Sequence, residues 1–155
     1  MVRSPFDMAP VLYWSFLLLV SGFAVVHGRK YERTAALVCL GASLLTLLVH
    51  KVSDVRYVNV AGGDLLIDCA VLAIFILIAL RSDRFWPLWV AGLQLVTSFA
   101  HFLKAVDPGL VPQAYGAALR FWSYPILVIV AVAVWRSHRR RASGDQLHAR
   151  QQAAA

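Results

Sequence analysis

"DLLIDCAVLAIFILIAL", residues 64–80, is an apolar run that carries two charges, Asp64 and Asp68. Crossing the hydrocarbon core of a bilayer takes about 20 mostly apolar residues in a helix. Lipid offers no partner for backbone N–H and C=O groups, so the segment must close its own hydrogen bonds as a helix. The run therefore predicts a transmembrane helix, although its Val and Ile content would favour a strand in water.

Four further apolar runs flank this one. They lie at about 34–50 and 10–27 before it, and at about 85–103 and 115–135 after it. Hydrophobic residues make up 60% of the 155-residue chain and charged residues 15%, against about 45–50% and 25% in soluble domains. The first run lacks a small-x-small cleavage site, so we expect a retained helix there and not a signal peptide. The sequence predicts an all-α integral membrane bundle of five transmembrane helices over residues 1–136, followed by a disordered basic tail over 137–155.

The basic residues predict the orientation of the bundle, because cytoplasmic loops carry an excess of Lys and Arg. One side would hold five of them: Arg3, Lys51, Arg56, Lys104 and Arg120. The other side would hold ten: Arg29, Lys30, Arg33, Arg81, Arg84, Arg136, Arg139, Arg140, Arg141 and Arg150. The N-terminus is therefore predicted outside and the C-terminus in the cytoplasm. No nucleic-acid partner is expected, since that needs a folded basic surface in water.

Polar residues recur at helical spacing inside the apolar runs. In "RFWPLWVAGLQLVTSFAHFLK", residues 84–104, Gln94, Ser98 and His101 are four and three residues apart, with Thr97 beside them. This spacing places them on one face of a helix. The second run carries a similar stripe: Cys39, Ser43, Thr46 and His50. With the predicted orientation, the ionisable groups of four helices reach the same outer depth. The expected outer polar cluster comprises Asp68, His101, His50, Asp64, Arg120 and Tyr124, beside the stripe Gln94, Thr97 and Ser98.

Two interpretations of this cluster stay open. Polar side chains can join helices through hydrogen bonds worth about 0.6 kcal/mol each. Asp68 favours a functional interpretation more strongly, because a carboxylate within a span costs about 2.5–3.5 kcal/mol on insertion scales. It should be paired, protonated or hydrated, and its candidate partners are His50, His101 and Arg120.

No cofactor is predicted, but two are left open. His50, His101 and Asp68 have the ligand types of a metal site, without an HxxxH or HxxE pattern on one helix. Two histidines at matching depth would also suit the axial ligands of a b-type haem. Passage of protons or small solutes past Asp68 is a third hypothesis, with Pro125 kinking the fifth helix. The cytoplasmic halves of the third and fifth runs offer no polar residues to continue such a path.

"ALRSDRFWPLWVAGLQL" (Ala79–Leu95) resembles a segment of small uncharacterised multi-helix inner-membrane proteins of alphaproteobacteria. The resemblance covers the third to fifth runs and implies a bacterial inner membrane. It implies no activity and no site residue.

The residues themselves favour a non-enzymatic function, because the loops are too short for a soluble catalytic site. Phosphate loops and HExxH are also absent from the sequence. We expect an accessory, assembly or binding protein whose partners are the lipid bilayer and either another membrane protein or a second copy of this chain. The alternative is a small transporter or a haem- or metal-dependent redox carrier that uses the cluster around Asp68.

Overall fold

The computed structural model describes the backbone of residues 5–56, 60–106 and 112–153 and the side chains of residues 10–51, 62–103, 106 and 122–143. Over these residues the chain forms five helices and no strand: α1 (Pro5–His27), α2 (Lys30–Arg56), α3 (Val60–Arg81), α4 (Trp86–Val106) and α5 (Pro112–Ala153). The predicted all-α class is confirmed. Four of the five helices begin before their predicted runs, and α2 to α5 end beyond them.

Each helix packs on the next one in the sequence, and α5 returns to contact α1 and α2. The bundle is therefore a closed ring. At one end, which we call the short-loop end, residues 28–29 join α1 to α2 and residues 82–85 join α3 to α4. The opposite end holds the N-terminal parts of α1, α3 and α5 and the C-terminal parts of α2 and α4. We call this the cavity end.

The apolar core lies toward the short-loop end. It is built from the inward faces of all five helices: Leu17, Val20 and Ala24 of α1, Ala35 and Ala36 of α2, Val71, Phe75 and Ile78 of α3, Val90 of α4, and Val130 and Val134 of α5. Small residues dominate where α1 meets α2, so these helices can approach closely. Most of the buried apolar side chains lie at this end, together with the buried polar residues Ser21, Glu32 and Ser137.

Three helices are long and apolar enough to cross a membrane, over Pro10–His27, Lys30–Lys51 and Gly62–Arg81. Their outward faces carry large apolar side chains that a soluble protein would bury: Leu19 is 72% exposed, Leu66 73% and Leu80 78%. This surface is compatible with a membrane protein. α4 interrupts its apolar run with polar residues and α5 ends in a basic stretch. Five spans therefore stay a prediction at this point.

The C-terminal segment is helical over the described residues. α5 continues to Ala153, through the residues that the sequence assigns to a tail from 137. Ser137 is buried, and the ring of His138 meets the ring of His27 edge-on at 4.6 Å. Arg139 stacks on Trp135 one turn earlier. High charge predicts disorder, but this stretch is also rich in Ala, Arg and Gln, which are good helix formers. The first turns of the segment also have α1 to pack on.

Two side chains join the helices at the short-loop end. The backbone N–H of Arg29 donates to Glu32 Oε2 at 2.7 Å, which caps the start of α2 as the second half of a capping box does. Glu32 is 1% exposed, and its Oε1 lies 3.8 Å from Arg84 Nη1 in the α3–α4 connection. Tyr31 donates its hydroxyl to the Arg81 carbonyl at 2.9 Å. These contacts hold α2 against the end of α3.

The two-residue α1–α2 connection requires glycine at its first position. The Gly28 N–H donates to the Ala24 carbonyl at 2.8 Å, and a Cβ at residue 28 would collide with that same oxygen. We expect Gly28→Ala to lower the free energy of unfolding by about 1–3 kcal/mol, as overpacking does. Thermal unfolding in detergent measures the change. Gly41→Ala is the control, because a Cβ there meets nothing within 4 Å; equal melting temperatures for the two variants would contradict the assignment.

Candidate functional site

A cavity of about 710 Å³ opens at the cavity end of the bundle, and all five helices contribute to its lining. Its polar lining includes seven of the nine residues that the sequence predicts for the outer cluster and the adjoining stripe: His50, Asp64, Asp68, Gln94, Thr97, His101 and Tyr124. Of the other two, Ser98 is buried away from the cavity, and the side chain of Arg120 lies outside the described residues. The convergence follows from helical spacing within each run and from the alternating direction of the five runs.

Asp68 lies at the centre of the cavity wall, and both of its carboxylate oxygens have partners. Gln94 Nε2 donates to Asp68 Oδ1 at 3.0 Å, and His101 Nε2 lies 3.0 Å from Asp68 Oδ2. Gln94 and His101 are two turns apart on α4, so the carboxylate of α3 fits between them. This arrangement joins α3 to α4 and holds the Asp68 carboxylate in one orientation.

A second acid–imidazole pair lies nearer the mouth of the cavity. His50 Nε2 of α2 is 3.1 Å from Asp64 Oδ2 of α3. His50 is half exposed, whereas Asp64 is mostly buried. Asp64 Oδ1 is buried and has no hydrogen-bond partner among the described residues. The two histidines thus pair with different aspartates, one turn apart along α3.

Aromatic side chains form the opposite wall. The Tyr13 hydroxyl lies 2.8 Å from Ser43 Oγ, and the Tyr13 ring meets the Tyr124 ring edge-on at 5.9 Å. The sequence interpretation missed Tyr13, because an aromatic residue near the start of a run is typical of an interfacial belt. A signal was present, since a tyrosine within a span needs a partner for its hydroxyl and the Ser43 stripe provides one.

The three residues of the α4 polar stripe, Gln94, Thr97 and Ser98, make different contacts. Gln94 reaches across to Asp68, as described above. Thr97 Oγ donates within its own helix to the Gln94 carbonyl at 2.9 Å. Its hydroxyl therefore has a hydrogen-bond partner in α4, although the side chain also lines the cavity. Ser98 is buried between helices, and its Oγ has no partner in the described part of the chain. All three side chains face the interior of the bundle.

The proposed metal and haem ligands do not share one centre. No three His, Cys, Asp or Glu side chains come close enough to hold a metal ion, as far as the described residues go. His50, His101 and Asp68 lie in two separate pairs, and each histidine presents Nε2 to a carboxylate. A haem iron would have to take Nδ1 or displace an aspartate. The haem and metal hypotheses stay predictions.

Comparisons with models of protein families, with curated proteins and with solved structures find no match for this chain.

Proposed function

We propose that this chain is a multi-pass protein of the bacterial inner membrane that acts by binding, as an accessory or assembly component, with the cavity as its binding site. In this proposal all five helices span the bilayer, with the N-terminus outside and the C-terminus in the cytoplasm. The three apolar helices and their exposed Leu side chains support the membrane location. The basic residues at the short-loop end support the orientation, since Lys and Arg favour the cytoplasmic side.

One observation carries the binding role. All five helices place charged or hydrogen-bonding side chains around one open cavity, and two carboxylates, those of Asp64 and Asp68, are among them. Carboxylates in apolar surroundings are costly unless they are paired and hydrogen-bonded, so a group that supplies a hydrogen bond or a positive charge would be held there. The proposal is that a polar or cationic group of a partner protein in the membrane enters this cavity. The partner is another membrane protein or a second copy of this chain.

The floor of the cavity favours binding over passage. Val71, Ile126 and Leu127 lie at its base, and the packed core of Phe75, Val130 and Val134 closes the bundle below them. Protons and polar solutes need polar groups or water to cross such a region. The proposal is therefore a pocket that binds, and not a passage through the bundle.

The transporter alternative can be tested directly at Asp68. This residue and His101 form a pair of ionisable groups, and the Gln94 amide donates to the carboxylate. Asp68→Asn removes the charge and preserves the shape. If flux of a candidate solute into liposomes depends on the carboxylate, it falls with this variant; unchanged flux would remove Asp68 from any transport mechanism. Absorbance near the Soret band of purified protein tests the redox-carrier form.

Site-specific photo-cross-linking in native membranes tests the binding proposal. A photoreactive residue replaces Thr46, which lines the cavity, and in a matched control it replaces Leu19, whose side chain faces away from the bundle. We expect a covalent adduct of discrete mass from position 46 and none from position 19. The mass separates a second copy of this chain from a different protein.

A second comparison tests whether formation of the adduct depends on the Asp68 carboxylate. With the photoreactive residue at position 46, Asp68→Asn should reduce the adduct severalfold, whereas Asp83→Asn should leave it unchanged. Asp83 is an exposed acid in the α3–α4 connection, at the other end of the bundle. Equal adducts from positions 46 and 19, or an adduct that is indifferent to Asp68, would contradict a cavity that receives a partner.

A further inference from the structure

A second cleft, of about 590 Å³, lies at the short-loop end, opposite the cavity. The α1–α2 connection, the first two turns of α2 and the C-terminal part of α5 form its walls. Its lining residues are Gly28, Arg29, Lys30, Arg33, Thr34, Leu37 and Arg141. Four of them carry a positive charge, and all four of those side chains are exposed. No acid is among the described lining residues.

The one acid within this stretch of α2 is turned away from the cleft. Glu32 is buried, accepts the Arg29 backbone N–H and faces Arg84. It therefore leaves the Arg29, Lys30 and Arg33 side chains without a carboxylate from their own turn. Like charges at this spacing destabilise a helix by a few tenths of a kcal/mol per pair, so the arrangement gains from an anion between them.

The cleft has the chemistry of a phosphate site. Arg guanidinium groups bind phosphate oxygens with two parallel hydrogen bonds. The positive end of the α2 dipole also points here, since α2 begins at Lys30. Arg141 approaches from α5, so cations of two helices face one space. A single helix N-terminus would give a weaker and less specific site.

The lining also changes from basic to apolar along α2. Leu37 borders the cleft and is half exposed, and it begins the apolar part of the span. With the helices placed in the bilayer as proposed above, the cleft lies where hydrocarbon gives way to headgroups, and basic pockets at this depth bind anionic lipid headgroups. We propose that this cleft binds a phosphate group, carried by an anionic phospholipid or free in the cytoplasm. This site is independent of the cavity and of its proposed partner.

Binding of a fluorescent phosphatidylglycerol to the full-length protein in neutral detergent tests the proposal. The cleft variant is Arg29→Gln, Arg33→Gln and Arg141→Gln together. The control is Arg136→Gln, Arg139→Gln and Arg140→Gln together, which removes the same charge from exposed positions of α5 outside the cleft. We expect the cleft variant to weaken binding by about tenfold or more, and the control by much less.

Two arms distinguish the source of the phosphate. A fluorescent phosphatidylcholine reports binding that does not need an anionic lipid, and millimolar inorganic phosphate reports protection against thermal unfolding. A cleft-dependent loss with phosphatidylglycerol alone assigns a lipid; a cleft-dependent loss of protection by phosphate assigns a free anion. Both support the site.

Equal losses in the two triple variants would show diffuse attraction and overturn the proposal, as would unchanged binding in the cleft variant or the absence of binding to either probe. The three substituted side chains of the cleft variant are exposed, so we expect unchanged helix content by circular dichroism. A variant with Lys at the same three positions keeps the charge and should retain part of the binding.

Discussion

Asp68→Ala is expected to lower the free energy of unfolding by about 1–3 kcal/mol, the cost of leaving buried hydrogen-bonding groups without partners. The reason is that one carboxylate serves two side chains of α4. Gln94 Nε2 loses its acceptor at 3.0 Å and His101 Nε2 loses its neighbour at 3.0 Å. Gln94 is buried between helices, so few other groups can replace Asp68 as its acceptor.

The comparison with Asp68→Asn separates charge from shape. The amide keeps an oxygen for Gln94, and its N–H₂ can donate to His101 Nε2 in the tautomer that leaves this nitrogen as an acceptor. We therefore expect Asp68→Asn to lose less than about 1 kcal/mol, within the range of one net hydrogen bond. Thermal or denaturant unfolding of the parent, Asp68→Asn and Asp68→Ala in one detergent gives the order of their stabilities. A melting temperature of Asp68→Ala equal to that of the parent would show that the Asp68 contacts do not stabilise the bundle.

Glu32→Ala is expected to lower the free energy of unfolding by about 2–3 kcal/mol. The side chain is 1% exposed. Its removal leaves the Arg29 backbone N–H without an acceptor, leaves a void at the α1–α2 turn and takes the negative partner from Arg84. Arg84 is partly exposed, so water can solvate it, which keeps the loss below that of a fully buried pair.

Two further variants check this assignment by thermal unfolding. Glu32→Gln keeps an acceptor for Arg29 and should lie between the parent and Glu32→Ala. Asp83→Ala removes an exposed acid from the neighbouring connection, and surface changes of this kind stay within about 0.5 kcal/mol. Equal melting temperatures for Glu32→Ala and Asp83→Ala would refute the capping role of Glu32.

Two patterns in the sequence explain why most of the predicted polar residues lie at one end of the bundle. Helical spacing aligns Gln94 with His101 on α4 and Ser43 with His50 on α2, and alternating runs bring both stripes to one end. These patterns do not predict which histidine pairs with which aspartate. The sequence offers His50, His101 and Arg120 as candidate partners for Asp68, and only the packing of α2 and α4 on α3 assigns one histidine to each aspartate.

Other features depend on contacts that no single run reveals. Glu32 lies in the charged segment "GRKYER", where composition indicates a solvated loop, yet packing buries it. The helical continuation of α5 depends on contacts such as that between His27 and His138. Tyr13 needed its partner Ser43 to be recognised as part of the cavity wall. In each case the tertiary neighbour, which is distant in sequence, decides the role.

Cysteine accessibility tests the central claim most directly. Cys39 and Cys69 are both free thiols, so a Cys39→Ala, Cys69→Ala background allows single cysteines at Thr46, Leu19 and Ser143. Thiols react with maleimides as thiolates and need water to do so. We expect a membrane-impermeant maleimide to label Thr46→Cys from outside, Ser143→Cys only in inside-out vesicles, and Leu19→Cys from neither side. Labelling of Thr46→Cys from the cytoplasmic side, or from neither side while Leu19→Cys reacts, would contradict a water-filled pocket that opens to the outside of the membrane.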